Sequence, residues 1–72
     1  MKHIKILSAI RKYNEYAQVT HRPKMTLKRL SEKTGYSLKD FHYWRFGLEE
    51  ITLEQRIKIC ERLNYIITPN EL

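Results

Sequence analysis

The sequence predicts an all-α fold: one small helical domain over residues 1–72, with a helix-turn-helix at about 26–46. Three observations carry that expectation. Apolar residues recur at spacings of three and four, the period of a helix with one buried face. Only two glycines and two prolines occur, and they fall between the periodic segments. A serine or threonine stands just ahead of the later segments, where a hydroxyl can accept from the free N–H groups of a helix start. Seventy-two residues leave room for one core and for no ligand-sensing or catalytic domain beside it.

Each element follows from its residues. Ile6, Ile10, Tyr13 and Ala17 form one apolar face, with Lys5, Arg11, Lys12 and Glu15 mostly off it; this first helix should end near Gln18. Residues 19–24 are a basic connection, in which Pro23 restricts the residue before it. Thr26 caps a second helix through Leu27, Leu30 and Thr34, with the small Ser31 beside them, and Gly35 ends it. Ser37 caps a third helix, with Asp40 as its reciprocal acceptor, Phe41 and Trp44 inward, Tyr36 just ahead and Gly47 at the end. Thr52 and Gln55 form a capping box for a fourth, whose inward face is expected to be Leu53, Ile57, Cys60 and Leu63, with Asn64 at its C-terminal cap. Tyr65-Ile66-Ile67 is short and rich in β-branching, which allows an extended segment. Thr68-Pro69-Asn70-Glu71 has the pattern of a fifth, short helix start.

The charge is large and lopsided. Fourteen Lys and Arg against eight acids give a net charge of +6. Residues 1–47 carry eleven of those bases against Glu15, Glu32 and Asp40, whereas residues 48–72 are net acidic. The first two-thirds is therefore the anion-facing side, and the last third is scaffold or self-association surface. The single cysteine excludes an intramolecular disulfide framework and a multi-cysteine zinc site, and Cys60 reads as a small buried hydrophobe. His3, His21 and His42 are not at metal-ligand spacing, so no metal and no cofactor is expected. No apolar run reaches membrane-spanning length, and the lysines and short interrupted apolar stretch at the start do not make a secretory signal. The expectation is a cytoplasmic protein without a membrane partner. No acid pair, triad or phosphate loop stands at usable spacing, so enzymatic activity is not expected.

Two helices this short around one glycine must cross steeply, and the crossing needs a small residue, a turn glycine and apolar locks: Ser31, Gly35, and Leu30, Tyr36, Phe41 and Trp44. The polar and basic residues Ser37, Lys39, His42, Tyr43 and Arg45 then point outward.

In that light the run Thr26-Leu27-Lys28-Arg29-Leu30-Ser31-Glu32-Lys33-Thr34-Gly35-Tyr36-Ser37 resembles the "TLxxLAxxTGxS" opening of the Cro/C1-type (Xre) repressors. Phe41, Trp44 and Gly47 are similar to the apolar pattern that follows in that family. Ile51-Thr52-Leu53-Glu54 resembles its "PSLE", Ile57, Ile59, Cys60, Leu63 and Asn64 its "LxIAxxLG", and Thr68 to Leu72 its "SLDEL". The resemblance covers about residues 26–72. It implies a compact five-helix lambda-repressor-like domain that docks its third helix, about 37–46, in the major groove of double-stranded DNA. The implied function is sequence-specific transcriptional regulation, as a Cro-like repressor of a phage or mobile element, in the bacterial cytoplasm or nucleoid.

On that reading Ser37, Leu38, Lys39, His42 and Tyr43 contact bases, with Lys39 foremost; many members of the family place glutamine at the position of Ser37 or Leu38, and Leu38 can meet thymine methyls instead. Thr26, Lys28, Arg29 and Arg45 contact phosphate, aided by the free N–H groups of the second helix. Phe41 and Trp44 are core residues rather than stacking platforms. Tyr65, Ile66 and Ile67 are expected to form the interface of a homodimer, assembled free or only on DNA, whose operator is an inverted repeat with half-sites about 34 Å apart. No small-molecule ligand is expected. A rival class is a protein-interaction module on the same scaffold, an antitoxin or anti-repressor partner; a less favoured one is single-strand binding through Phe41 to Phe46, whose six residues cannot share one helical face.

Overall fold

The three N-terminal caps expected from hydroxyl residues all form. In the computed structural model, which describes residues 5–72, Thr26 accepts from the Arg29 N–H, Ser37 from the Asp40 N–H and Thr52 from the Gln55 N–H. At Ser37 and Thr52 the box closes both ways: the Asp40 carboxylate and the Gln55 carbonyl accept from the cap residue's own N–H, at 3.4 Å and 2.9 Å. These bonds satisfy donors that a helix start leaves free and fix where each helix begins. The helices are α1 Ile6–Val19, α2 Leu27–Thr34, α3 Leu38–Arg45 and α4 Leu53–Arg62, with no strand among the described residues.

Helix ends obey the same local chemistry. Gly35 turns the chain after α2 at φ 80°. Gly47 after α3 and Asn64 after α4 are left-handed, at φ 71° and 54°. In both cases the next N–H reaches back five residues: Leu48 to the Tyr43 carbonyl at 2.9 Å, Tyr65 to the Cys60 carbonyl at 2.8 Å. α1 closes likewise, with His21 at φ 58° and the Arg22 N–H on the Ala17 carbonyl at 2.8 Å.

α2 packs on α3 and α4, and α1 lies against α3. The core between them holds Ala17, Leu30, Phe41, Ile59, Cys60, Leu63 and Ile67, all essentially without solvent contact. Burying each of the larger side chains contributes about 1.5–3 kcal/mol. The radius of gyration, 11.4 Å, agrees with the roughly 11 Å of a close-packed chain of this size.

Three expectations are corrected. The inward face of α4 is Ile59, Cys60 and Leu63; Leu53 and Ile57 are 61% and 42% exposed. Apolar residues spread around much of α4, so spacing alone admitted two faces, and packing on α2 selected the one with Ile59. Residues 65–67 are not extended: Tyr65 is left-handed at φ 54° and the chain bends through Ile66 and Ile67. A fifth helix is not formed among the described residues. Only half of the Thr68 box is present: the Thr68 N–H and hydroxyl both donate to Glu71 Oε1, while the Glu71 N–H closes back on the Thr68 carbonyl, at 3.0 Å, which makes a turn.

Candidate nucleic-acid interface

The candidate site is the outward face of α3, and it is positioned from within. Phe41 and Trp44 fill the inward face, with their rings edge-on at 5.1 Å. Trp44 also meets Tyr36 edge-on at 5.6 Å, which ties α3 to the turn that precedes it. That turn is fastened to α2 by hydroxyls: Ser31 donates to the Tyr36 carbonyl, and the buried Thr34 donates to the Leu30 carbonyl at 2.8 Å while accepting from the Tyr36 N–H at 3.3 Å. The Lys58 ammonium of α4 lies over the Tyr36 ring at 5.2 Å. Burial first, then the Glu54 charge, pushes the Tyr36 phenol pKa up, so this ring stays neutral. α3 is thus fixed relative to α2 by aromatic edges on one side and short-range hydrogen bonds on the other.

With Phe41 and Trp44 inward, Leu38, Lys39, His42 and Arg45 project to solvent. Leu38 is 50% exposed. Tyr43 is half-buried at the edge of the face, and the Lys39 ammonium sits over its ring at 5.6 Å. Ser37 is exposed, its oxygen engaged with the Asp40 N–H at 3.1 Å. Phe46, to which the sequence assigns no duplex contact, joins this face. It caps α3, is 57% exposed, packs edge-on against His42 at 4.8 Å and lies under the Arg45 guanidinium at 5.1 Å. Its spacing is a partial signal: position 46 follows 38 and 42 at intervals of four, on one side of the helix.

The expected phosphate partners Thr26, Lys28 and Arg29 cluster at the start of α2 and are all exposed. Arg29 reaches back to the Lys24 carbonyl at 3.4 Å. What holds this helix start in place is Asn14 of α1. Its amide donates to the Met25 carbonyl at 3.1 Å and accepts from the Met25 N–H at 2.7 Å, while the Met25 side chain is buried. No local rule points to Asn14, because its partner lies eleven residues along the chain.

The three residues expected at a dimer interface part company. Tyr65 is 57% exposed, Ile66 is half-buried against the core, and Ile67 is taken up by the core itself. His21 and His42 are exposed and His3 lies outside the described residues; among the described residues no three His, Cys, Asp or Glu side chains come together. Cys60 is fully buried, and burial, then the Glu71 charge, pushes its thiol pKa up. A cavity of about 270 Å³ opens beside Trp44, Ile51 and Arg56, on the inward side of α3 and away from the face described above. Among the described residues no helix is long and apolar enough to cross a membrane.

No family model, curated protein or solved structure matches the chain.

Proposed function

We propose that this chain is a sequence-specific regulator of transcription that binds double-stranded DNA, with α3 in the major groove. The observation that carries the reading is the division of α3 into two chemistries. Phe41 and Trp44 lock one side, and Lys39, His42 and Arg45 are exposed on the other. A helix locked from within, with exposed hydrogen-bond donors on its outer side, suits the acceptor-rich major groove. Lys28, Arg29 and Thr26 at the start of α2 supply phosphate contacts that set register, with no sequence content of their own. The net charge of +6 adds long-range attraction to a polyanion.

In this reading the protein is a binding protein and not an enzyme. It is the lambda-repressor-like scaffold in minimal form, with the Thr68–Glu71 turn where such domains place a fifth helix, and it acts in the cytoplasm as a Cro-like repressor. A single domain reads few base pairs, so two copies act together on an inverted repeat. Tyr65 and the exposed edge of Ile66 are the proposed contact, backed by Ile67 from within.

Selection of bound duplexes from a random pool, followed by titration of the best one at several salt concentrations, tests the reading. A short preferred motif with affinity falling steeply as salt rises is the expected result. A pool that emerges unenriched overturns it.

The rival reading, a protein-interaction module, draws on Phe46 and Leu48, which are 57% and 66% exposed just past the end of α3. It requires a protein partner that binds tightly with no duplex retarded under the same conditions.

A further inference from the structure

The outward face of α3 has a restricted chemical vocabulary, and that restriction defines what it can read. Adenine is read in the major groove by the paired donor and acceptor of an Asn or Gln amide, and the cytosine amine by a carboxylate. α3 contains no Asn, Gln or Glu. Its one acid, Asp40, is half-buried and accepts from the Ser37 N–H at the helix start. Beside the Ser37 hydroxyl, held by the cap, and the half-buried Tyr43, what projects is the cations Lys39 and Arg45 with the His42 ring, and the apolar side chains of Leu38 and Phe46, 50% and 57% exposed. The apolar pair brackets His42 at intervals of four, so the two lie one helical turn to either side of it. Phe46 is held in place by the His42 edge at 4.8 Å and the Arg45 guanidinium at 5.1 Å.

We infer that α3 recognises thymine C5-methyl groups through Leu38 and Phe46, at two places one helical turn to either side of His42, with guanine acceptors engaged by Lys39. The ligand class is thus a methyl-bearing DNA duplex rich in T and G on the contacted edges, and the methyl itself is a required feature. This inference rests on the DNA-binding reading and deepens it. A methyl leaving water against an apolar side chain contributes the transfer free energy of about one carbon, close to a fourfold change in affinity.

The test takes the best duplex from the random-pool selection and replaces its thymines one at a time by deoxyuridine, which keeps every hydrogen-bonding group and removes only the methyl. Fluorescence-anisotropy titration of the unaltered protein should show at least two positions where affinity drops about fourfold. Leu38→Ala should abolish the difference between thymine and deoxyuridine at one of them and Phe46→Ala at the other, a coupling that general weakening does not mimic. Both side chains lie outside the core, and thermal melts of the two variants check that they remain folded. Equal binding of thymine and deoxyuridine duplexes at every position overturns the inference while leaving DNA binding intact. Failure to retain any duplex overturns the DNA-binding reading and the inference with it.

Discussion

Residues 26–46 and residues 63–72 both return the chain to the same core, and they do it by opposite means. The first segment is built from bonds between near neighbours: the Thr26, Ser37 and Asp40 caps, the Thr34 hydroxyl, and Gly35 at φ 80°. Its backbone is fixed before any outward side chain is chosen, so Lys39, His42 and Arg45 are free for chemistry. The second segment has no helix, puts Asn64 and Tyr65 in succession in the left-handed region, and holds on by burying Ile67 and Leu72. The difference teaches where substitution is tolerated. The α2–α3 unit should accept changes on its outer face without loss of fold, whereas the tail should accept backbone relaxation and resist loss of apolar bulk.

The largest effect that would break this contrast is on the inner side of α3. Trp44 is 8% exposed and meets both Phe41 and Tyr36, so Trp44→Ala should cost about 3–5 kcal/mol in urea denaturation. A domain this small has little more than that in total. A Trp44→Ala protein that stays folded and still retains duplexes means that the ring does not lock the helix crossing.

Next in size is the tail. Ile67→Ala should cost about 2–5 kcal/mol by leaving a cavity among fully buried neighbours. A loss under about 0.5 kcal/mol, the range of ordinary surface changes, would show that residues 63–72 are an appendage and not part of the core.

On the outer face the expected changes move binding and not stability. Lys39→Ala should lose about 1–3 kcal/mol on the preferred duplex and alter the ranking of related sequences. Lys28→Ala should weaken all duplexes alike and reduce the salt slope by about one. An unchanged ranking with Lys39→Ala removes α3 in this register as the reader.

The comparison also explains what was legible beforehand. Positions 26–46 were readable almost residue by residue because their determinants lie within a few positions of what they determine: Thr26 for α2, Ser37 with Asp40 for α3, Gly35 for the turn. The face of α4 was misread because Leu53 and Ile57 match helical spacing as well as Ile59 and Leu63 do, and only contact with α2 decides between them. The Asn14 clamp on Met25 was invisible for the same reason, since it joins two elements. Of the candidate site, the outward placement of Leu38, Lys39, His42 and Arg45 followed from the inward pair Phe41 and Trp44. The exposure of Phe46 was not legible, because nothing within the turn after α3 decides whether that ring packs inward or on His42 and Arg45.

A smaller effect separates the core from the surface by pH. The folded state raises the Cys60 pKa, first through burial, so it holds the thiol proton more tightly than the unfolded chain does. That contribution is whole below the unfolded thiol value, about 8.5, and is lost as pH rises from there through the higher folded value. Urea midpoints should therefore fall between about pH 7 and pH 9.5, and fall less in Cys60→Ala. Equal slopes in the two proteins would place the alkaline sensitivity elsewhere than at Cys60.

The smallest expected effect has the opposite sign, and it tests the tail's backbone directly. Tyr65 stands at φ 54°, directly after Asn64 at the same angle, and its ring is 57% exposed. A left-handed conformation costs an L-residue about 1–2 kcal/mol, and a tyrosine has no side-chain bond to its own backbone that offsets this. The strain persists because the Tyr65 N–H closes α4 on the Cys60 carbonyl at 2.8 Å and the next residues deliver Ile67 to the core. Glycine removes the strain and adds unfolded-state freedom worth about 0.5–1 kcal/mol, so Tyr65→Gly should stabilise the monomer by up to about 1 kcal/mol. Tyr65→Ala loses the same ring and keeps the strain, so it should lie below Tyr65→Gly by about 1 kcal/mol, the reverse of their order inside a helix. Alanine equal to or above glycine would remove strain from the account of this turn. The same pair sharpens the proposed role of the tail in pairing two copies. If the ring contributes to the dimer, Tyr65→Gly makes a more stable monomer that no longer places two chains on an inverted-repeat duplex in sedimentation, a combination that damage to the fold cannot produce.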